Sequence, residues 1–496
     1  MEPALDVLWY KLDNFAPLVL CMAGDLYQEV YSPDDGEFTL VSNGFLPFQR
    51  SMVASDWERF AAAATRVRIL NHVDFWGEMC YRFDLTVFRS LVCAAQGRVG
   101  LLPRLQQLTW ETSDNDLYPY IFLFLSPTIT NLTVYITTGD IASDRVRFSL
   151  LTSLVSQCPN VRSVELESLG ITVHSWRDLF SGHSSSACAL FSLWACLCSL
   201  TLNHVDLSTL TGALAGLPVL TTLKIHDCRA IDPLSPSTVT GFPMLQYLGM
   251  YGSDVDCFLR VLKRMFCTPL VELDLQVVGA SREFQYIELF SILPNGISHD
   301  TLAIVSIQGL VQDDSEHPVP TRFQIMSPLL QFRRISHLAY GGLAGGSALD
   351  LDDNDVACIA QAWPCLTAFS IRPTISMVPS RLTLRALIPF VKYCPKLETL
   401  SIKINATIID DYEEKPGKGL YGGRLQKLNV FDSPIDDPAR VAAFLSDIFP
   451  NVRKIYSTVM PYRAAEMPVV GPKWDEVERL IPVFAAVRRQ EAGLRK

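Results

Sequence analysis

The chain has 496 residues, with 42 Lys and Arg against 52 Asp and Glu, a formal net charge of -10, and 49% hydrophobic residues. That apolar content excludes a disordered polymer, because it supplies a continuous core. The acidic balance, with no dense basic cluster, excludes nucleic acid as the partner, since such binding rests on cations that neutralise phosphates.

The opening Met1-Glu2-Pro3, followed by Asp6, Lys11 and Asp13, lacks the basic and apolar regions of a signal peptide. Next, Ser55-x-x-Glu58 predicts a capping box that opens a helix running to about Ala64. The longest apolar stretches, Leu117 to Leu125 with Pro119 inside and Ala187 to Leu202 with several hydroxyls inside, fall short of the roughly 20 residues that a membrane-spanning helix needs. The thirteen cysteines, scattered as in Ala187-Cys188-Ala189 and without framework spacing, read as free thiols of a reducing compartment, cytoplasm or nucleus. The sole CxC, Cys196-Leu197-Cys198, has no second ligand pair, and no metal or other cofactor is expected.

From Val67 onward one pattern returns: L-x-x-L-x-L, with any large apolar residue at the L positions. The cleanest copies are Leu220-Leu223-Ile225, Leu245-Leu248-Met250, Leu270-Leu273-Leu275, Leu397-Leu400-Ile402 and Leu425-Leu428-Val430. Looser ones are Leu105-Leu108-Trp110, Ile129-Leu132-Val134, Val161-Val164-Leu166, Leu197-Leu200-Leu202, Leu302-Val305-Ile307, Ile335-Leu338-Tyr340 and Leu366-Phe369-Ile371. Val67-Leu70-His72 precedes them in degenerate form, and Val452-Ile455 follows as a fragment. The last two apolar positions lie two residues apart, so they share one face of a short strand and enter the core, while the residues between and beside them face out. Pro103, Pro127, Pro159, Pro218, Pro243, Pro364, Pro395 and Pro450 each stand two residues before a first apolar position, where proline ends the preceding helix.

Between strands the chain turns to helical period. Phe258, Leu259, Leu262 and Phe266 make one stripe over Val255 to Phe266; Asp355 to Trp363 is a second such segment, and Pro438 to Phe449, with Asp437 as N-cap, is a third. Gly279 to Ser298, Gln312 to Thr321 and Asp410 to Gly423 read as loop insertions. After Gly471-Pro472 comes an amphipathic segment with Trp474, Val477, Leu480, Ile481 and Phe484 on one side and a kink expected at Pro482, placed to cover the last repeat. Strand then helix, repeated about twelve times, is the signature of an α/β leucine-rich-repeat solenoid, a horseshoe with a concave parallel sheet, outer helices and a helical cap at each end. The expected division is an N-terminal cap over 1–100, repeats over 101–460 and a capping tail over 461–496.

The stretches Glu2-Pro3-Ala4-Leu5-Asp6-Val7-Leu8-Trp9, Asp56-Trp57-x-Arg59-Phe60, Ala362-Trp363-Pro364 and Trp474-Asp475-Glu476-Val477-Glu478-Arg479-Leu480, in this order along nearly the whole chain, resemble fungal F-box and leucine-rich-repeat proteins. In that family the Pro-Ala-Leu-x-x-Leu-Trp stretch lies at or just past the end of the F-box, which docks on the adaptor of a cullin ubiquitin ligase, so the resemblance implies that residues 1–100 hold a remnant of the F-box end beside the N-terminal cap. Here Met1 stands where most of that module would precede. The resemblance implies a substrate receptor, or a fragment of one, whose repeats select a protein for ubiquitin transfer while other subunits supply the chemistry. A free-standing scaffold that uses the same face is the alternative.

Residues that flank core positions, and are therefore expected on the concave face, are Glu165, Glu167, Lys224, His226, Tyr247, Tyr251, Glu272, Asp274, Gln276, Arg372, Lys403 and Lys427. They form the candidate surface for a protein partner. No catalytic set is expected. His183-Ser184-Ser185-Ser186 reads as a polar loop and Gly341 to Ser347 as a turn without the lysine of a phosphate loop. Asp350, Asp352 and Asn354 imitate a calcium loop that lacks its glycine and closing glutamate, so helix capping is expected there.

Overall fold

The structure, a computed structural model, describes residues 2–27, 30–31, 44–45, 48–73, 81–82, 85–95, 100–112, 115–137, 144–169, 190–203, 205, 207–228, 241–278, 283–310, 321–341, 349–372, 380–408, 416–457 and 470–494. The chain divides into two compact units, Met1–Pro243 and Met244–Lys496.

In the first unit, β1 (Lys11–Leu12), β2 (Ile69–Val73), β3 (Gln107–Thr112), β4 (Asn131–Thr137), β5 (Ser163–Leu169), β6 (Ser199–Asn203) and β7 (Thr222–His226) pair in chain order, each parallel to the next. The second unit repeats the arrangement with β8 (Tyr247–Ser253), β9 (Glu272–Val278), β10 (Ile304–Leu310), β11 (His337–Tyr340), β12 (Ala368–Ile371), β13 (Thr399–Ser401), β14 (Lys427–Asn429) and β15 (Lys454–Tyr456).

The register keeps the motif in phase. Leu70, Leu108, Leu132, Val164, Leu200 and Leu223 stand in one row across the first unit, all buried. Leu248, Leu273, Val305, Leu338, Phe369, Leu400, Leu428 and Ile455 do the same in the second. A repeated backbone clamp enforces this phase: the two residues after the first apolar position both donate N–H to one carbonyl of the preceding repeat. Arg162 and Ser163 reach Thr130 O at 2.8 and 3.0 Å, and Thr367 and Ala368 reach Ser336 O at 2.7 and 3.1 Å. A one-residue slip would forfeit both bonds and turn every leucine outward.

The prolines act as expected. In Trp363-Pro364-Cys365-Leu366 the Leu366 N–H returns to Trp363 O at 3.2 Å, and Leu397 returns to Cys394 O at 3.1 Å, so proline holds the second position of a turn that leads into the strand. The residue before each of these two prolines, Trp363 or Cys394, is buried.

Three local expectations change. Helix Ala54–Ala64 begins after Val53, and Asp56, not a Ser55–Glu58 box, serves its first turn by accepting the Val53 N–H at 3.0 Å. Asp56 prevails because it is buried and also takes Arg50 at 2.7 and 3.1 Å, while Arg50 turns its remaining donors to Asp25 and to the Ser51 carbonyl. The span Gly279 to Ser298 is no open loop, since it contains helix Glu283–Gly296. Its buried stripe, Tyr286, Leu289, Phe290 and Leu293, outweighs the bond that Pro294 forfeits near the helix end. Helix Val255–Leu262 stops short of Phe266, which is 65% exposed and leaves the stripe. The tail forms one helix, Gly471–Leu494, with Pro482 inside it. Residues 279–282, 312–320 and 410–415 of the expected insertions lie outside the described residues, while 416–423 form turns.

The Arg50–Asp56 pair makes the first unit sensitive to acid. Hydrogen bonding from Arg50 holds the Asp56 carboxyl below its ordinary value against the opposing effect of burial. A carboxyl depressed in the folded state stabilises fully above its unfolded pKa of about 3.9, and that contribution disappears as pH falls through the lower folded value. Asp56→Asn should therefore cost the first unit about 2 kcal/mol near neutrality. Its stability deficit relative to the parent should close progressively in denaturation curves taken below about pH 4. A deficit constant through that window would show that the charge is irrelevant.

Candidate functional site

On each strand the residues between and beside the core positions form outward rows, most of them half-buried, with Glu111 buried. In the first unit Glu111, Tyr135 and Glu167 are successive partners across β3, β4 and β5, while Thr109, Thr133 and Glu165 form the adjacent row. The Thr133 hydroxyl donates to Glu165 Oε2 at 3.2 Å, and the Tyr118 hydroxyl donates to the Tyr135 carbonyl at 2.8 Å. Burial, with Glu165 and Glu111 beside it, pushes Glu167 up to about 7. Burial and the same three carboxylates push the Tyr135 phenol up to about 12. Lys224 and His226, both half-buried, lie on β7 opposite Thr201 and Asn203.

In the second unit Tyr247 pairs with Glu272, and Gly249 with Asp274. The register then shifts: Met250 faces Leu275 and Ser253 faces Val277, so Tyr251 and Gly252 together oppose Gln276. Gly252, at φ 67°, supplies the left-handed turn of this bulge. The bulge places the Tyr251 hydroxyl 2.5 Å from that of Tyr247 and 3.0 Å from Asp274 Oδ2, to which it donates. Tyr247 is then the donor to Tyr251. Both rings close over Gly249, where a Cβ would lie 2.7 Å from the Tyr251 oxygen and 3.0 Å from Tyr247 Cε1. Burial raises both phenols above their ordinary values, so they remain neutral donors.

The remaining expected residues do not join this group. Gln276 pairs across with Gln308. Arg372 is exposed just beyond β12, its N–H bonded to Tyr340 O at 2.8 Å. Lys403 lies past β13 in an ion pair with Asp432 at 2.7 Å, its side chain only 14% exposed. Lys427 is exposed on β14 between Thr399 and Lys454. Glu111, Thr133 and Tyr135 were not among the expected residues, although Glu111 and Tyr135 follow the third apolar position as Glu167 does; the flanking rule applied evenly finds them.

Among the described residues no group of three His, Cys, Asp or Glu is placed to hold a metal, and no helix is long and apolar enough to cross a membrane. Asp352 caps helix Asp353–Ala362, accepting the N–H groups of Asn354 and Asp355 at 2.9 and 3.0 Å. That explains the acidic run as the sequence suggested. The His183 to Ser186 segment and residues 342–347 lie outside the described residues.

No protein-family model and no curated protein matches the chain. Solved structures similar to it include an internalin of Listeria monocytogenes, at 14% identity and TM-score 0.36, over 85% of this chain and 87% of that one. A leucine-rich-repeat protein of Leptospira interrogans aligns at 12% identity and TM-score 0.37, over 72% and 79%. The yeast complex of Rad7 with Elc1 aligns at 12% and 0.32, over 72% and 84%. The fold assignment rests on the chain's own ladder: the L-x-x-L-x-L positions fill successive buried rows of parallel strands, with helices in the connections, and the fold is an α/β leucine-rich-repeat solenoid.

Proposed function

We propose that this chain recognises a partner protein through the outward rows of its strand ladders, in the role of substrate receptor for a cullin-type ubiquitin ligase. The observation that carries recognition is the Tyr247–Tyr251–Asp274 chain, in which aromatic rings are fixed by hydrogen bonds on the outward face before any partner arrives. Rings already held in place lose little freedom on binding, and tyrosine is a frequent interface anchor. The ligase role draws on the sequence resemblance. It is also supported by helix Glu2–Leu8, which carries the Pro-Ala-Leu stretch, buries none of its residues and exposes Leu5, Val7 and Leu8.

The test is a pull-down of the 496-residue chain with the purified ligase adaptor, beside a form extended by any in-frame upstream sequence. Retention of either form supports the receptor role, and loss of it in a Leu5→Ser, Leu8→Ser variant places the contact on the first helix. Retention of neither removes the ligase from the reading and leaves a free-standing protein-binding solenoid.

A further inference from the structure

We infer that the Tyr247, Tyr251, Glu272 and Asp274 surface of the second unit binds an arginine side chain of the partner protein, a deepening that rests on the protein-recognition reading above. Three observations converge on a planar cation. First, Tyr247 and Tyr251 close over Gly249 and offer aromatic surface, and their linked hydroxyls keep the rings in place. A guanidinium is attracted to such a surface by the ring quadrupole and stacks on it as an ammonium does not.

Second, Glu272 and Asp274 stand in register with Tyr247 and Gly249 on the neighbouring strand, both half-buried. Among the described residues neither carboxylate takes part in an ion pair, whereas Lys263, Arg381, Lys403 and Lys454 are each paired with acids elsewhere in the unit. Two carboxylates in a partly desolvated face without a counter-ion favour a cation from outside, and a guanidinium meets a carboxylate with two parallel N–H bonds. Third, the donor from Tyr251 occupies one oxygen of Asp274, Oδ2. This restrains the carboxylate before the arginine arrives and leaves Oδ1 to accept from it. The net charge of -10 adds a long-range attraction that brings a basic partner segment to the surface.

The experiment displays random peptides of about twelve residues to the full chain and scores those retained against three variants: Asp274→Asn, Tyr247→Leu and, as a control on an exposed acid distant in register, Glu398→Gln. The expected result is enrichment of arginine in peptides whose retention falls roughly tenfold or more on Asp274→Asn and on Tyr247→Leu but stays unchanged on Glu398→Gln. In the best such peptide, replacing the arginine by citrulline, which keeps the shape and removes the charge, should abolish binding, and replacing it by lysine should weaken it. Circular dichroism of each variant confirms that it is folded.

Peptides retained without arginine, or with equal loss on the Glu398→Gln control, would overturn the arginine assignment and leave recognition by the ladder standing. Equal binding of the lysine peptide would reduce the site to a point-charge contact and overturn the guanidinium assignment. A chain that retains no peptide overturns the recognition reading itself.

Discussion

Leu273→Ala should lower the stability of the second unit by about 3 kcal/mol, whereas Glu272→Ala, one residue earlier, should change it by no more than about 0.5 kcal/mol. Leu273 is fully buried on β9, flanked in register by Leu248 on β8 and Val305 on β10, which are buried as well. Removing its isobutyl group leaves a void bounded by neighbours that the backbone clamp holds in place, since Val271 and Glu272 both donate to Gln246 O, at 2.7 and 2.9 Å. The repeats stack by nearest-neighbour contact, so the loss weakens the two interfaces of β9 rather than one. Hydrogen exchange at the amides of β8, β9 and β10, followed with denaturant titration, reads both variants. A costly Glu272→Ala beside a tolerated Leu273→Ala would mean that the register is displaced by one residue, because side chains alternate between the faces.

That pair of neighbours also shows why so much of the fold is legible in the sequence. A two-residue spacing of leucines is a direct statement of which face each side chain occupies, and a proline two residues ahead states where the strand is entered. Features that depend on a single residue's conformation are less visible. The bulge that aims Tyr251 needs Gly252 at positive φ, yet the glycine by itself does not say which of its neighbours turns. The same holds for Gly249: its role is to let two rings meet, and only the position of those rings reveals it.

Contacts between repeats are harder still. Lys403 reads as a surface cation in its own repeat, but Asp432, 29 residues later, reaches it at 2.7 Å, and nothing local to Lys403 announces that partner. Helix Glu283–Gly296 was obscured by the opposite problem. Pro294 and Gly296 punctuate its end strongly enough to suggest a loop, although four buried residues at helical spacing decide the matter. In the candidate site the two tyrosines and two carboxylates were named by the flanking rule, but the hydrogen-bond chain that orders them is a property of the bulge.

Trp474→Ala should have the larger effect, about 4 kcal/mol, and it should appear at the end of the ladder rather than at the site of substitution alone. Trp474 is almost fully buried, and its indole N–H donates to Ser433 O at 2.9 Å. With Val477, Ile481 and Ala485 it forms the buried stripe of helix Gly471–Leu494, which packs against helix Pro438–Ile448. The same helix brings Glu478 to β15, where its carboxylate accepts the Ile455 N–H at 2.6 Å and the Lys454 ammonium at 3.1 Å. A parallel ladder ends in a strand with unpaired backbone groups, and such an edge recruits other strands unless it is covered. Here a glutamate held by a tryptophan-anchored helix supplies the cover. Loss of the indole should therefore release the helix, accelerate exchange at the Ile455 amide and produce concentration-dependent association of the chain. Glu478→Gln separates the two contributions: its amide oxygen still accepts from Ile455 while the charge opposite Lys454 is gone, so exchange at Ile455 should stay close to that of the parent. Rapid exchange in Glu478→Gln with slow exchange in Trp474→Ala would reverse this order and make the carboxylate charge, not the buried indole, the anchor of the cap.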